Sequence, residues 1–205
     1  GGQGYVARTE NDQALKVLSL TNNDGSLNIK AVKEVTMNIA LKKAADDHEE
    51  LRSPLIIMDQ WNLTETPVTK EDKGQNLVFS MPLHNLEKLE TYDFDESEDG
   101  QNKNNYISSL NELLPALNKL HELGFRPDDI NLFVDTTSQE ILVADYDQFS
   151  TYSESQASKY VADAYNEVMT ELQTRNTDIE NFPALQDVLP PRNNYTTHGN
   201  INESD

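Results

Sequence analysis

Cysteine is absent from the 205-residue chain, and that absence removes disulfides, thiolate zinc sites and cysteine nucleophiles together. It leaves the compartment open, because a cysteine-free chain folds equally well in reducing and oxidising surroundings. Long apolar runs are also lacking. No stretch approaches the roughly 18 apolar residues needed to cross a bilayer, so a soluble chain with no membrane insertion is expected. No signal-peptide pattern is visible, and the opening on Gly1-Gly2 fits a trimmed start. Positive charge is scarce: 16 Lys and Arg stand against 36 Asp and Glu, a formal net charge of -20. A surface this negative repels nucleic acid and anionic lipid, which makes both poor partners. A serine-hydrolase triad is poorly supported, since His48, His84, His121 and His198 each lack a serine-bearing elbow nearby. His121 reads instead as a residue at a helix C-terminus, where a cationic ring is favourable.

What is present is a periodic apolar pattern of 36% hydrophobic residues, enough for a core. Tyr5–Arg8 and Ala14–Leu20 read as a hairpin around the turn-like Glu10-Asn11-Asp12. A helix follows from near Ser26 to Leu51, with Ile29, Val32, Val35, Ile39 and Leu41 on or near one face and Pro54 marking its end. Leu55–Met58 and Asn76–Ser80 read as two further strands, separated by a polar loop from Thr64 to Gly74. The acidic stretch Tyr92–Asn105 reads as a solvated loop. The strongest helix carries Ile107, Leu110, Leu113, Leu114, Leu117 and Leu120, is interrupted by Pro115, and stops at Gly124. Asn131–Val134 and Glu140–Ala144 form a hairpin around Thr136-Thr137-Ser138, and a last amphipathic helix carries Val161, Ala164, Tyr165, Val168 and Leu172. The order predicts an α+β chain of two lobes joined near Ser80–Leu83: a β-rich N-lobe over 1–80 with one long helix, a reduced and mainly helical C-lobe over 81–182, and a flexible tail over 183–205.

Three groups of residues could carry chemistry. Gly1-Gly2-Gln3-Gly4 precedes a strand, and such glycines let backbone N–H groups approach phosphate oxygens closely. A strand follows where the dinucleotide-binding pattern requires a helix, so that pattern is excluded. Lys16 places an ammonium inside the apolar strand Ala14-Leu15-Lys16-Val17. Either it faces solvent, or it pairs with a carboxylate on the following helix and points at phosphate. Glu34, in the first half of that helix beside Val35, is the best partner, while Glu49 and Glu50 near the helix end read as surface charges. The third group is Asp129, Asn131 and Asp145. Oxygen side chains at the ends of a hairpin suit a Mg–nucleotide site, which wants hard ligands held rigidly. Asp129 and Asn131 lie two apart and project to the same side of an extended backbone. Asp145 closes the apolar run Ile141–Ala144, a costly place for a carboxylate without a partner. The alternative is a set of turn acids satisfied by local caps.

Taken in order, these segments resemble the eukaryotic-like protein-kinase fold over roughly residues 1 to 150. Gly2-Gln3-Gly4-Tyr5-Val6 resembles the Gly-rich loop, Ala14-Leu15-Lys16 the strand bearing the ATP lysine, and Glu34 the helix-C glutamate. Leu77–Pro82 looks like the strand entering a hinge, with Phe79 as gatekeeper and Met81 beyond it. Leu120–Gly124 is similar to the end of helix E. Asp129-Ile130 resembles the catalytic-loop aspartate, Asn131 the metal-binding asparagine, and Asp145-Tyr146-Asp147 the metal-binding triplet. The resemblance implies ATP held by Gly2, Gly4, Val6, Lys16, Phe79 and Met81, Mg²⁺ held by Asn131 and Asp145, and Asp129, Lys16 and Glu34 as catalytic residues.

Departures accompany the likeness. Asn131 follows Asp129 by two residues where the family loop spaces the pair by about five, so the loop is shortened or Asp128 competes for the role. Asp147 stands where the triplet carries glycine. No long activation segment fits between Asp145 and the last helix, no Ala-Pro-Glu follows, and the first N-lobe strand is missing ahead of Gly1. Such losses resemble the stripped-down kinases that pathogenic bacteria inject into host cells by type III secretion (the HopBF-type effectors). That resemblance implies a monomeric Ser/Thr protein kinase acting in the host cytoplasm on a host protein, such as a chaperone of the Hsp90 type. The competing expectations are a pseudokinase scaffold, which the compressed spacing favours, and a small-molecule kinase for a cationic substrate, which the small C-lobe disfavours.

Overall fold

The structure, a computed structural model, describes residues 4–65, 75–93, 101–175 and 181–192. The chain is α+β, as expected. β1 (Gly4–Arg8) and β2 (Gln13–Ser19) form the first hairpin. After α1 (Ile29–Asp47) come β3 (Gln60–Thr64) and β4 (Asn76–Pro82), completing a four-stranded antiparallel sheet in the order β1-β2-β4-β3. The lysine strand is therefore interior, flanked by the N-terminal strand and by β4.

α1 begins at Ile29, three residues later than the sequence suggests. Asn28 is the cap, its side chain accepting from the Ala31 N–H, while Ser26 donates its N–H to Asp24 in the preceding turn. Apolar residues cover most of the helix surface: Val32, Val35, Met37, Ala40, Leu41 and Ala44 are all fully buried. So wide an apolar face must be covered from more than one direction, while Glu34, Asn38 and Lys42 share the remaining side. Here α1 takes part in the same core as the sheet residues Leu18, Leu77 and Phe79, and it packs against α3 (Gln156–Arg175).

One expectation is corrected in this region. Leu55–Met58 is not a strand. Leu55 makes one parallel bridge to Val143 and Ile56 donates to the Val143 carbonyl, so this run lies along the later hairpin. The strand is Gln60–Thr64, whose alternation of Trp61 and Leu63 with polar neighbours is the period of a half-buried strand. The Thr64–Gly74 loop falls mostly outside the described residues.

The second half starts with the short β5 (Leu86–Lys88) and α2 (Gln101–Leu123). Gln101–Asn105 is helical, although its polarity reads as loop, because the helix extends toward its N-terminus beyond the apolar stripe. The buried face runs through Ser109, Leu113, Ala116, Leu120 and Leu123, leaving Ile107 and Leu114 exposed. Pro115 sits on the exposed side, where the carbonyl it frees reaches water. Gly124 stops the helix at φ +97°, and a Cβ there would lie 2.3 Å from the Ser155 Cβ, so glycine is required on two counts.

β6 (Phe125–Pro127) pairs with β9 (Phe149–Thr151), and β7 (Leu132–Asp135) pairs with β8 (Ile141–Val143) and with β5. α4 (Leu185–Val188) ends with Val188 and Leu189 buried. Val188 and Leu189 thus anchor this stretch, where a flexible tail is expected from 183 onward. Arg192 exchanges backbone hydrogen bonds with Thr151 and Ser153, adding a bridge beside β9. The reason is local: Val188-Leu189 gives an otherwise polar segment an apolar anchor. Residues 193–205 lie outside the described residues.

The segment after β4 is fastened to the β7–β8 turn. His84 Nδ1 lies 2.8 Å from Asp135 Oδ2, and Asp135 Oδ1 accepts from the Thr137 and Ser138 N–H groups. Burial opposes the Asp135 charge, but His84 and the two turn N–H groups overcome it and hold the carboxyl below its ordinary 3.8. A depressed carboxyl contributes stability above the unfolded value and loses it as pH falls through the folded one. Asp135→Asn should therefore destabilise the protein most at neutral pH, and the gap to the unsubstituted protein should narrow below about pH 4. Chemical denaturation near neutral and near acid pH checks this, and a gap that widens in acid would contradict it.

Candidate active site

Strand register assembles the first part of the site. Val6 pairs with Lys16, Lys16 with Phe79, and Ala14 with Met81, while Gly4 lies two residues before Val6. Directly opposed residues in antiparallel strands share a face. Val6, Lys16, Phe79 and Met81 therefore project from one side of the sheet, and Gly4 holds a position of the same register on β1. Gly2 lies outside the described residues.

α1 supplies the partner on that same side. Lys16 Nζ donates to Glu34 Oε1, an ion pair linking residues 18 apart in sequence. The two side chains keep only 15% and 12% of their exposure, and the ammonium also sits 6.0 Å from the Phe79 ring centroid. Of the two readings open for Lys16 in the sequence, the structure has the paired one.

The second part is built at the ends of β7 and β8. Asn131 precedes β7 and Asp145 follows β8, and the Asn131 side-chain amide donates to the Asp145 carbonyl at 3.4 Å. Asp145 adopts φ +66°, left-handed backbone that costs a non-glycine residue roughly 1–2 kcal/mol. Its Oδ1 is buried and has no hydrogen-bond partner among the described residues. Tyr146 beside it is fully buried, its one hydroxyl proton shared between the carbonyls of Ile56 at 2.7 Å and Val143 at 2.9 Å. Burial and the neighbouring Asp145 carboxylate push its hydroxyl far above the ordinary phenol range, so it remains a donor. Tyr146 also meets Phe149 edge-on at 5.2 Å. This support was not foreseen in the sequence, although a buried tyrosine must find a partner for its hydroxyl.

The donor set fits a hard cation. Among the described residues no three His, Asp or Glu side chains gather as a metal cage. A nucleotide-bound Mg²⁺ needs only one or two protein ligands beside phosphate oxygens, and the orphaned Asp145 oxygen with the nearby Asn131 amide is such a pair.

No protein-family model matches the chain, and no curated protein matches it. Among solved structures it is similar to the Rio2 kinase of Chaetomium thermophilum in an ADP/Mg²⁺-phosphoaspartate complex, at 11% identity and a TM-score of 0.37. The match covers 94% of this chain and 60% of that one. At that level no argument about this chain rests on it.

Asp128 and Asp129, ambiguous in the sequence, differ in surroundings. Asp128 receives Arg192 Nη2 at 2.9 Å, lies 3.7 Å from Arg126 Nε, and donates its N–H to Gln148. Asp129 is exposed, has no hydrogen bond or ion pair among the described residues, and lines a hollow with Asn131. Asp128 is thus occupied in closing its loop, and Asp129 is free to meet a ligand. Asp128→Ala should cost under about 1 kcal/mol, as expected of exposed pairs, and disturb turnover mildly. Asp129→Ala should leave stability unchanged and, in a chain that transfers phosphoryl groups from ATP, lower the transfer rate by orders of magnitude with little change in ATP affinity. Single-turnover transfer and nucleotide binding separate the two. An inactive Asp128→Ala beside an active Asp129→Ala would place the register one residue earlier.

Proposed function

We propose that the chain is an ATP- and Mg²⁺-dependent protein kinase acting on serine or threonine hydroxyls. The observation that carries the reading is the Lys16–Glu34 pair, on the sheet face shared by Val6, Phe79 and Met81. An ammonium held by a carboxylate in a half-closed site is oriented and charged, which is what contact with nucleotide phosphates requires. Asn131 and Asp145 are the residues that would hold Mg²⁺, which when bound neutralises charge on the phosphate oxygens. Asp129 orients the acceptor hydroxyl and accepts its proton. Catalysis of this kind is mostly positioning and electrostatics, and residues 146–155 are all that separate Asp145 from α3, so the reading includes no phosphorylated activation segment. A role as an effector injected by a bacterium, with a host chaperone of the Hsp90 type as substrate, extends the proposal on the resemblance alone.

The second reading, a pseudokinase scaffold, draws on one observation: Asn131 follows Asp129 by only two residues. Radiolabel transfer from ATP to a host lysate, with and without Mg²⁺, distinguishes the two. The kinase reading expects Mg²⁺-dependent labelling that Lys16→Ala and Asp145→Asn each abolish while the fold is retained. Transfer at the original rate in both folded variants would refute the site, and Mg²⁺–ATP binding without any transfer would favour the scaffold.

A further inference from the structure

Ile107 and Leu114 belong to the apolar pattern of α2, yet the fold does not absorb them. Among the described residues they stay 45% and 59% exposed. They lie seven apart, about two turns of helix, and so share a face. Leu110 and Leu117 join them at spacings of three and four. Both are partly buried and lean on the main core, so the outer pair stands on a fixed base. Together these residues form a second apolar stripe, about a third of a turn around α2 from the buried Leu113, Ala116 and Leu120. The edge of the stripe carries no charge. Asn104, Asn111 and Asn118 recur along it every seven residues, all exposed. From 104 to 118 the only charged side chain is Glu112, about half a turn away from the stripe.

We propose that this stripe is a homodimer interface, on which a second copy of the chain lays its own α2 antiparallel about a two-fold axis. The inference is independent of the kinase reading, and it departs from the monomer that the resemblance implies. Charge selects a second copy. Each copy bears -20, so two copies repel wherever acids face one another and close only over a surface free of them. α2 offers such a surface in a chain with 36 acidic residues. A basic partner, the kind this chain attracts, finds no carboxylate on the stripe. The pattern also matches itself. A two-fold axis brings residue i against j and j against i. Crossing α2 at the height of Glu112, it sets Ile107 against the partner's Leu117 and Leu110 against the partner's Leu114. The same arrangement brings Asn111 beside the partner's Asn111 and Asn104 beside the partner's Asn118, where amides donate and accept across the seam. α2 is already folded on its own core, so association costs no helix formation. The apolar contact falls well short of the roughly 20–30 residues a side of a standard interface. The dimer is therefore weak and concentration-dependent.

The test is sedimentation velocity of the full chain from about 1 µM to about 1 mM, the span between standard and transient affinities. The mass should rise toward twice the monomer's. Added salt should tighten the dimer, because screening removes the repulsion between acidic copies and leaves the apolar contact. Leu114→Glu, at a position already facing water, should weaken association at least about tenfold with the fold retained, and Ile107→Glu should do the same. The chain has no cysteine, so a single introduced thiol reads the register without touching the stripe. A short bismaleimide should join Asn111→Cys to its copy and leave Glu112→Cys, on the far side of α2, unjoined. Association weakened in both Glu variants, with cross-linking at 111 and not at 112, supports the interface. A chain that stays monomeric to the top of the range overturns it, whether another protein or a stretch outside the described residues then covers the stripe. Dimerisation that survives both Glu variants, or that salt weakens, also overturns it, by giving the contact to another face.

Discussion

The structure depends on one ion pair held almost out of water. Two charges at 15% and 12% exposure have lost much of their hydration, and each stabilises the fold only while the other is in place. Where such a pair is fully buried, removing one partner costs about 3–5 kcal/mol. The pair therefore requires α1 to stay where it is relative to β2. α3 meets this requirement by lying along α1, with Tyr160 donating to Asp47 at 2.5 Å near one end and Arg175 reaching the Leu63 carbonyl at 2.8 Å near the other. Residues from both halves of the chain share one apolar core, so the lysine strand, α1 and α3 rest on the same support.

Asp145 is the complementary case. Its backbone is strained and one of its carboxylate oxygens is buried without a partner among the described residues. A fold retains such features only where neighbours over-determine them, and they gather at functional sites. Tyr146 beside it shares its one hydroxyl proton between two carbonyls, one of them Ile56 in the segment that follows α1. The cationic and anionic halves of the site are thereby tied to the same part of the core.

Much of this was legible in the sequence. A lysine in an apolar strand followed by a helix with a glutamate beside an inward valine is a local pattern with a physical reason, and Lys16 and Glu34 do meet. The α2 stop was readable because only glycine suits Gly124. The continuous run Leu55–Met58 was misread as strand because unbroken apolarity carries no period, whereas Gln60–Thr64 alternates. The packing of Val188 and Leu189, the His84–Asp135 bond and the Arg192–Asp128 pair were out of reach. They join polar or tail residues far apart in sequence, and nothing in the local pattern marks their partners. The hydroxyl of Tyr146 signalled that a partner must exist without saying which.

The central claim is that Glu34 serves the nucleotide by holding Lys16. Calorimetric titration of Mg²⁺–ATP into the unsubstituted protein, Lys16→Met, Glu34→Gln and the double variant tests it most directly. The double variant also carries no unpaired charge at this position, so it controls for folding. The account predicts that each single substitution weakens binding about tenfold or more and that the double is no weaker than the worse single, the mark of residues acting as a unit. Affinities equal to that of the unsubstituted protein, or losses that simply add, would contradict it.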